Sequence, residues 1–509
     1  MNNANIGWAA FACLGLGICT ADSVVAAPSD TACETRANDT EAKLLECIQQ
    51  KALWRHLSAF QKIATENPGP NGHGNRNTGT SGYRASVKYV AGLMRRAGYR
   101  VTIQPYQWTR FDLEGTPAFA AAGRSHSFSQ DWFVARLSGS GSVTAHVEPA
   151  GSGCAPGDFA GFAQGRIALV ERGTCAYDTQ VANAEAAGAL ALIIYNSEGS
   201  PDTTGRNERL DGGAFPAQLV DPADIPVVGV ASHAVGAEFV RQYEAGAAPQ
   251  AQLDIRTHRK SDIDYNVIAD SPFGDAKHVV VVDGHLDSIY GAGILDNASG
   301  STTMLEIALK LARTHTRNQL RYIWFGGEEL GLLGSHYYTK NLTPAELRRI
   351  AFDLDVDVTA TPNFDVLIAD VAHAHNVAKF PPNVLPDSKV GNRDFAAYFR
   401  AAGIVSRNAW FGNDGTDSNS FSLVGVPNTG ILTQQDCCKH GWEVALWGGY
   451  LGNYEGKVPG HNGGCVDNPH RWCDNLSNND PFVLEFASKA VAAVTLELAN
   501  DASLGRETR

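Results

Sequence analysis

The chain has 509 residues, of which 44% are hydrophobic and 19% are charged, so it can bury large cores and is not a disordered chain. At about 150 residues per domain the length suggests roughly three units, although large α/β enzymes often exceed that ratio. The 54 acidic and 41 basic residues leave a net charge of −13, which argues against a nucleic-acid partner and against an anionic membrane surface.

Residues 1–27 form a candidate signal peptide. The run from Ile6 to Val25 is mostly apolar or small, and it leads into Ala26-Ala27, a small-residue pattern typical of a cleavage site. No Lys or Arg precedes the run, and the alternative is an ordinary N-terminal core segment. Beyond these residues no apolar stretch reaches the roughly 18 residues of a membrane span. We therefore expect a secreted or periplasmic protein with no membrane span.

Cysteine usage also points to export. Two of the ten cysteines lie in the candidate signal, and an even number remains. Their local clustering favours disulfides in an oxidising compartment, and the absence of any Cys-x-x-Cys pair disfavours a zinc–thiolate site. We expect local pairs Cys33–Cys47 and Cys154–Cys175. The last four cysteines then pair among themselves: Cys437, Cys438, Cys465 and Cys473.

The N-terminal part of the main domain, residues 28–135, begins with helical patterns. Apolar residues at helical spacing predict helices over Leu44 to Thr65 and over Tyr83 to Ala97. Gly98 follows the second helix, as a C-terminal glycine does. The stretch Tyr99 to Tyr106 alternates between apolar and polar residues and predicts a strand.

The sequence pattern changes between about Asp131 and Arg256, and the new pattern predicts a separate small α+β or β-barrel module. Short apolar strands alternate there with Gly/Pro/Ser turns and one helix: Arg166–Glu171, Val181–Ala187 (the helix), Ala191–Tyr195 and Ile225–Val230. The stretch Gly165 to Cys175, with the helix and strand that follow it, resembles the protease-associated (PA) domain. That resemblance implies a PA insertion at residues 136–252 that carries no catalytic group and contacts the substrate or a protein partner.

From His278 onward strands alternate with helices. Val279–Val282 and Leu320–Phe325 are continuous apolar runs typical of buried strands, and Ser301–Arg313 and Pro344–Ala351 are predicted helices. The alternation predicts a mostly parallel α/β sheet with helices on both faces, which we assign to residues 253–509 as the main part of the domain. In such sheets the sites lie beyond the carboxyl ends of the strands.

Ligand-type residues follow the first of these strands. His285 stands at its end, and Asp287 is close enough in sequence to hold the second ring nitrogen. Asp296 follows in a Gly-rich turn that opens a helix. Taken singly, His-x-Asp is a weak signal, and Asp296 reads equally well as a helix N-cap residue.

The next apolar strand runs into Gly-Gly-Glu328-Glu329. Adjacent buried carboxylates repel one another unless a cation or a proton lies between them. They also offer two roles, because one can ligate a metal while the other handles protons. An adjacent Glu pair is also common on a solvated helix, but apolar and glycine neighbours make that interpretation weaker here.

In this order the three segments resemble the M28 family of zinc aminopeptidases. The segments are His285-Leu-Asp287, Asp296-Asn-Ala-Ser-Gly300 and Gly327-Glu-Glu-Leu-Gly-Leu-Leu-Gly-Ser335. The loop Gly74-Asn-Arg76 and the helix start Gly79-Thr-Ser-Gly-Tyr83 resemble the aminopeptidase Y-like members that contain a PA domain. The resemblance spans roughly Leu53 to Asn500 and implies a zinc exopeptidase fold.

The resemblance implies two zinc ions per chain and a role for each matching residue. His285 binds one ion, Asp296 bridges both ions and Glu329 binds the other. Glu328 is the general base, and Asp287 supports His285 in catalysis. The remaining ligands match Asp357 and His470. Manganese or cobalt stay open as alternatives to zinc.

Several alternatives remain open. Asp353 and Asp355 compete with Asp357, and His440 and His461 fit less well than His470. Two features depart from the family pattern: Pro469 stands where a Tyr often precedes the last His, and no Arg precedes Asp417. The first leaves the oxyanion partner open and the second leaves the positioning of a free amine open.

The sequence thus predicts an enzyme that removes N-terminal residues from peptide substrates by metal-assisted hydrolysis. Within enzymes, the alternative is a glutamate-carboxypeptidase-like exopeptidase or another amide hydrolase. From a different class, the alternative is a receptor-type relative whose metal site has decayed.

Overall fold

A computed structural model describes residues 28–121, 123–173, 175–199, 212–410, 416–435, 437–455, 464–469 and 471–504. The candidate signal peptide, His461 and His470 lie outside these ranges. None of the described helices is long and apolar enough to cross a bilayer.

The helices of the described chain are α1 (Asp30–Thr35), α2 (Glu41–Leu45), α3 (Gln50–Glu66), α4 (Ser81–Ala97), α5 (Tyr177–Ala186), α6 (His233–Glu244), α7 (Ala298–Leu311), α8 (Leu333–Lys340), α9 (Pro344–Leu347), α10 (Val384–Ala401), α11 (Ser418–Leu423), α12 (Gly441–Trp447) and α13 (Pro481–Asn500). The strands are β1 (Arg100–Leu113), β2 (Ala118–Ala121), β3 (Arg124–His126), β4 (Gly141–Pro149), β5 (Ile167–Glu171), β6 (Ala191–Tyr195), β7 (Val227–Ala231), β8 (Gln250–Ile255), β9 (Thr257–Asp270), β10 (Asp275–His285), β11 (Asn318–Phe325), β12 (Ile350–Val356), β13 (Leu367–Ala369), β14 (Arg407–Ala409) and β15 (Asn428–Leu432).

An eight-stranded sheet organises the larger unit, in the order β1-β9-β11-β10-β12-β15-β13-β14. Its centre, β11-β10-β12-β15, is parallel, while β1 and β9 on one side and the β15–β13 pair on the other are antiparallel. The α/β fold predicted from the alternation of strands and helices is confirmed. The antiparallel pairs flank the parallel centre. Because the central strands are parallel, their carboxyl ends lie at the same edge of the sheet.

Both faces of this sheet are covered by helices because β10 is apolar on both sides. Val280 and Val282 belong to the larger core, which also takes side chains from α3, α4, α7, α10 and α13. Val279 and Val281 belong to a second core with Tyr338 of α8. Successive side chains of a strand point to opposite faces, so an uninterrupted apolar run needs a partner layer on each side.

Two predicted helices differ from the observed ones. The stretch Leu44 to Thr65 is interrupted between α2 and α3, where the buried Cys47 forms a disulfide with Cys33. The stretch Pro344–Ala351 is helical only to Leu347, and Ile350 instead begins β12, paired with Val279 of β10. In both places a tertiary contact overrides the local pattern.

The smaller unit contains a seven-stranded sheet in the order β3-β2-β8-β4-β5-β6-β7. Helices α5 and α6 contribute to two different cores, with Val181 of α5 in one and Phe239 of α6 in the other. Strands and helices pack together in the described part of this unit, which agrees with the α+β prediction. The prediction of a single helix was wrong, because it missed α6.

This smaller unit is inserted between β1 and β9. The two strands pair antiparallel along 14 residues each, from Arg100↔Asp270 to Leu113↔Thr257. One end of the ladder lies in the eight-stranded sheet, and the other leads into the insertion. Arg136 of the insertion donates to the carbonyl of Thr109 at 3.2 Å, so a side-chain contact also joins the ladder to the inserted unit.

The predicted disulfides are confirmed. Cys33 pairs with Cys47 and Cys154 with Cys175, and the last four cysteines pair among themselves. Those pairs are Cys437–Cys438 and Cys465–Cys473.

Helix α4 provides a matched test of glycine conformation. Gly98 ends the helix with a φ of 96°, and the space that a Cβ would occupy there is open. Gly92 lies inside the helix, where a Cβ would meet only the end of the Arg96 side chain. Gly98→Ala should cost about 1–2 kcal/mol because of the left-handed backbone. Gly92→Ala should stabilise by about 0.5–1 kcal/mol through helix propensity. Thermal unfolding midpoints that move in opposite directions support this account, and a Gly98→Ala midpoint at or above wild type contradicts it.

Candidate metal centre

Three neighbouring parallel strands deliver the candidate residues to one edge of the sheet. His285 is the last residue of β10, the Glu328–Leu330 turn follows β11, and Asp357 comes directly after β12. Asp296 lies just before α7, the helix that follows β10. The carboxyl ends of parallel strands meet at one edge, so residues far apart in sequence converge here.

The first group of ligand atoms consists of His285, Asp296 and Asp357. The Nε2 atom of His285 lies 3.0 Å from Oδ1 of Asp296 and 3.5 Å from Oδ1 of Asp357. All three residues are buried. Zinc binds nitrogen and oxygen ligands at about 2.0–2.2 Å, so ligand atoms at these separations fit around one ion.

A second group shares Asp296 with the first. It consists of Asp296, Glu329 and Asp467, whose ligand atoms lie within 4.8 Å of one another. A carboxylate has two oxygens and can bridge two ions. Two groups that share one carboxylate are therefore the arrangement expected of a two-metal site.

The charges of the site fit a cation. Burial raises the pKa of Glu328 and of Glu329 well above the usual range, and neighbouring carboxylates push in the same direction. Oε1 of Glu329 and Oδ1 of Asp357 are buried and receive no hydrogen bond within the described chain. Buried carboxylates without donors are costly unless a proton or a metal ion compensates them. The described residues therefore fit a metal ion.

Asp287 lies behind His285. Its Oδ1 is 3.6 Å from Nδ1 of His285 and accepts the N–H of Glu328 at 3.3 Å, while Oδ2 accepts the hydroxyl of Thr78 at 2.9 Å. The carboxylate thereby contacts the imidazole on the side away from the ligand group. A carboxylate in this place orients a metal-bound imidazole.

Glu328 belongs to neither ligand group, although its Oε2 lies 4.0 Å from Nε2 of His285. It lines two adjoining cavities of about 210 and 230 Å³. The smaller cavity is bounded by His285, Asp296 and Asp357, and the larger by residues of both units of the chain. A carboxylate that faces the open cavity beside the ligand groups is in the right place to move protons.

Asp357 belongs to the first ligand group, and Asp353 and Asp355, the alternatives to it, lie farther back in β12. Asp355 and Asp353 lie two and four residues back along the chain, which is about 7 and 13 Å along an extended strand. Asp355 accepts the N–H of Ser418 at 3.1 Å, and neither rival belongs to a ligand group.

Of the three histidines considered for the last ligand, only His440 lies within the described residues. His440 is exposed at the start of α12 and belongs to neither ligand group. His461 and His470 lie outside the described residues. Within the described chain, Asp467 joins Asp296 and Glu329 in the second group, and its sequence position alone did not single it out.

Two further residues hold the loop that carries Asp296. The buried guanidinium of Arg76 donates to the carbonyls of Leu286 at 2.8 Å, Ala292 at 2.7 Å and Gly293. From another direction, the carboxylate of Asp474 accepts the N–H of Leu295 at 2.7 Å and of Asp296 at 3.1 Å. The resemblance of Gly74-Asn-Arg76 to PA-containing relatives does not predict these contacts.

The inserted unit reaches the site. Phe215, Pro216 and Gln218 line the larger cavity together with Glu328 and Tyr290. Gln218 donates from Nε2 to the hydroxyl of Tyr290 at 2.9 Å. The insertion therefore forms one wall of the cavity next to the candidate metal centre.

Comparison with known proteins identifies both units. Residues 266–495 match the model of peptidase family M28, and residues 140–238 match the PA domain. An aminopeptidase of Pseudomonas aeruginosa is 32% identical over 476 residues, which cover 90% of this chain and 82% of that protein. A probable lipoprotein aminopeptidase, LpqL, of Mycobacterium tuberculosis is 30% identical, with coverage of 79% and 77%.

Solved structures share the fold. The aminopeptidase from Aneurinibacillus sp. strain AM-1 superposes with a TM-score of 0.70 at 20% identity, covering 91% of this chain and 97% of that one. BSAP, a zinc aminopeptidase from Bacillus subtilis, superposes with a TM-score of 0.61 at 23% identity, covering 90% and 96%. The identity and coverage of the sequence relatives establish that this chain belongs to peptidase family M28 and carries an inserted PA domain.

Proposed function

We propose that the protein is an exported dizinc aminopeptidase that hydrolyses the first peptide bond of its substrates. The observation that carries this proposal is the pair of ligand groups sharing Asp296 beside a carboxylate, Glu328, that is left over for proton transfer. The relatives named as aminopeptidases support it, as does the zinc named for BSAP. The disulfides support the exported location, since such bonds persist in oxidising compartments.

In this proposal His285, Asp296 and Asp357 hold one ion, and Asp296 and Glu329 hold the other. For the remaining ligand the sequence predicts His470, which stays a prediction. Zinc bound at such a site polarises a carbonyl and lowers the pKa of a water molecule towards about 7. The imidazole favours zinc over a harder ion at the first position.

Glu328 acts as the general base. Its carboxylate takes a proton from the attacking water and delivers it to the leaving amine, which departs as the peptide bond breaks. Asp287 keeps the His285 ring in place through the contact at Nδ1. The PA domain contributes Phe215 and Gln218 to the wall that the substrate meets.

The charge of the cavities favours an aminopeptidase over a carboxypeptidase. Among the described residues that line them there are several carboxylates but neither Lys nor Arg. Carboxylates such as Glu328 and Asp357 attract the ammonium group of a free N-terminus. A carboxypeptidase needs a cationic side chain for the terminal carboxylate. The alternative of a receptor-type protein that has lost its metal site is disfavoured, because the described ligand-type residues still converge on one place.

The metal prediction uses a matched pair of aspartates. Wild-type protein should contain about two zinc ions per chain. Asp357→Asn should lower zinc content and activity together, because a neutral amide is a poorer ligand than a carboxylate. Asp355→Asn should keep both, since Asp355 contacts Ser418 instead. Elemental analysis and zinc titration measure this. The reverse pattern would show that the wrong carboxylate was chosen.

The base prediction uses the adjacent glutamates. Glu328→Gln keeps the size of the side chain but removes the proton acceptor, so turnover should fall by about 10²–10⁴-fold while zinc remains bound. Glu329→Gln is the matched control and should lose zinc at the second position. If Glu328→Gln instead releases zinc and Glu329→Gln retains it, the two roles are reversed.

The substrate prediction compares free and blocked N-termini. Aminoacyl-4-nitroanilides and unblocked peptides should be cleaved one residue at a time, and N-acetylation should abolish cleavage because a neutral amide cannot replace the ammonium among carboxylates. Release of 4-nitroaniline and of free amino acids measures both. Equal rates on free and acetylated substrates would overturn the aminopeptidase assignment and leave the metallohydrolase assignment standing.

A further inference from the structure

A cavity of about 490 Å³ lies at the end of α7 that is remote from the metal centre. Its lining comes from α1, α3, α4 and the C-terminal end of α7. Asp296 lies just before this helix, and Arg313 lies just after it. Because a helix rises about 1.5 Å per residue, the cavity and the candidate metal centre are about 20 Å apart. The cavity is therefore a separate feature of the molecule.

Buried contacts hold the helices around this cavity in place. The carboxylate of Glu306 on α7 is fully buried and lies 3.1 Å from Nζ of Lys310 and 3.2 Å from Nε2 of His56 on α3. On another side, Asn38 donates to the carbonyl of Cys33 in α1 at 2.9 Å and to the carbonyl of Lys310 at 2.6 Å. Buried polar and charged groups are costly without their partners. These contacts therefore fix α1, α3 and α7 relative to one another, and the cavity is preformed.

Three arginines line the cavity: Arg55 of α3, Arg96 of α4 and Arg313 just after α7. Burial raises the pKa of Tyr89, which also lines the cavity, to about 12, and the positive charges of Arg55 and Arg96 oppose that rise. Both guanidinium groups are therefore near the Tyr89 hydroxyl. Among the described lining residues Glu34 alone is acidic. The cavity is thus locally basic in a chain whose net charge is −13.

Two of these arginines have no carboxylate partner in the described chain. The neighbouring acidic residues already have cationic partners, which are Arg55 for Asp30 at 2.6 Å and Lys310 for Glu34 at 3.3 Å. Arg313 donates from Nε to the carbonyl of Glu34 at 3.2 Å, which is a neutral acceptor. Arg96 forms no ion pair with any described residue. A guanidinium offers five N–H donors in a planar fork that matches a carboxylate, so this cavity suits an anion.

The rest of the wall is largely apolar. It is formed by side chains of α4 and of the end of α7, which are Leu93, Ala97, Leu309 and Ala312. An inorganic anion would leave this surface in contact with water, whereas a hydrocarbon group that covers it gains about 25 cal/mol for each Å² buried. Small-molecule sites typically combine a mostly apolar lining with a few polar groups in about 300–1,000 Å³. The lining therefore matches a ligand that has both an anionic group and an apolar body.

We propose that this cavity is a binding site for a small organic anion in which a carboxylate is joined to an apolar body. Arg96 and Arg313 bind the carboxylate, and the apolar body packs against Leu93 and Ala97 of α4 and Leu309 of α7. The site is independent of the proposed function, because it requires neither the metal ions nor the peptidase reaction.

The test is a calorimetric titration of the purified full chain with three probes. Octanoate carries both a carboxylate and an apolar body, octanamide keeps the body without the charge, and inorganic phosphate is an anion without an apolar body. Octanoate should bind once per chain in this cavity with a Kd below about 1 mM. Octanamide should bind at least about 10-fold more weakly, because it has no charge for the arginines to bind.

Variants locate the binding in the cavity. Arg96→Gln and Arg313→Gln should each weaken octanoate binding by about 5- to 10-fold. Arg95→Gln is the matched control, since Arg95 is exposed on the same helix and does not line the cavity, and it should bind octanoate as wild type does. Ala97→Leu fills part of the apolar wall without a change of charge, so it should also weaken binding. Unchanged thermal midpoints exclude unfolding as the cause.

Several outcomes would overturn the proposal. Octanoate that shows no saturable binding up to about 10 mM would refute the site. Octanoate that binds equally well to wild type, Arg96→Gln and Arg313→Gln is held elsewhere, for example at the metal centre. Equal affinities for octanoate and octanamide would refute recognition of the charge. Phosphate that binds as tightly as octanoate and is weakened by the same arginine variants would refute the role of the apolar body, as would unchanged octanoate binding by Ala97→Leu.

Discussion

Burial of like charges at the carboxyl edge of the sheet is the constraint on which the rest of the site depends. Asp296, Glu328, Glu329 and Asp357 lie near the imidazole of His285, and burial raises the pKa of both glutamates. Without compensation such a group would take up protons or be forced apart. In the proposed function a metal ion in each ligand group would remove that cost, so that the acidic cluster can persist beside a packed core.

The surrounding structure holds this cluster together. Arg76 fixes the loop after His285 through three carbonyls, and Asp474 fixes the backbone of Asp296 itself. Because Asp474 follows Cys473, the disulfide to Cys465 links the loop of Asp296 to the segment of Asp467. A site assembled from distant parts of the chain thus depends on contacts that are not themselves ligands.

Much of the fold was predictable from local patterns. The run Val279–Val282 is apolar on every residue, which requires a layer on each face, and the helices there confirm it. Position at strand ends likewise placed His285 and the Glu328-Glu329 pair at one edge. The wrong predictions lie where tertiary contacts decide the local structure. At Cys47 a disulfide interrupts the predicted helix, and Ile350 pairs with β10 where a helix was predicted.

The remaining ligand stays a prediction, because His470 lies outside the described residues. The segment that leads to it is held by contacts over long sequence distances that no local pattern encodes. Glu455 accepts the N–H of Val466, and Asp474 accepts the N–H of Asp296. The choice among Asp353, Asp355 and Asp357 required the strand end to be located.

The most direct test of the account is metal binding by Asp296→Ala. The central claim is that this one carboxylate serves both positions, so its removal should weaken both steps of a zinc titration together, while Asn297 still caps α7 through the N–H of Gly300. A variant that keeps one zinc ion at wild-type affinity would contradict the shared carboxylate. Loss of both steps with an unchanged thermal midpoint of the metal-free protein is the result that the account predicts.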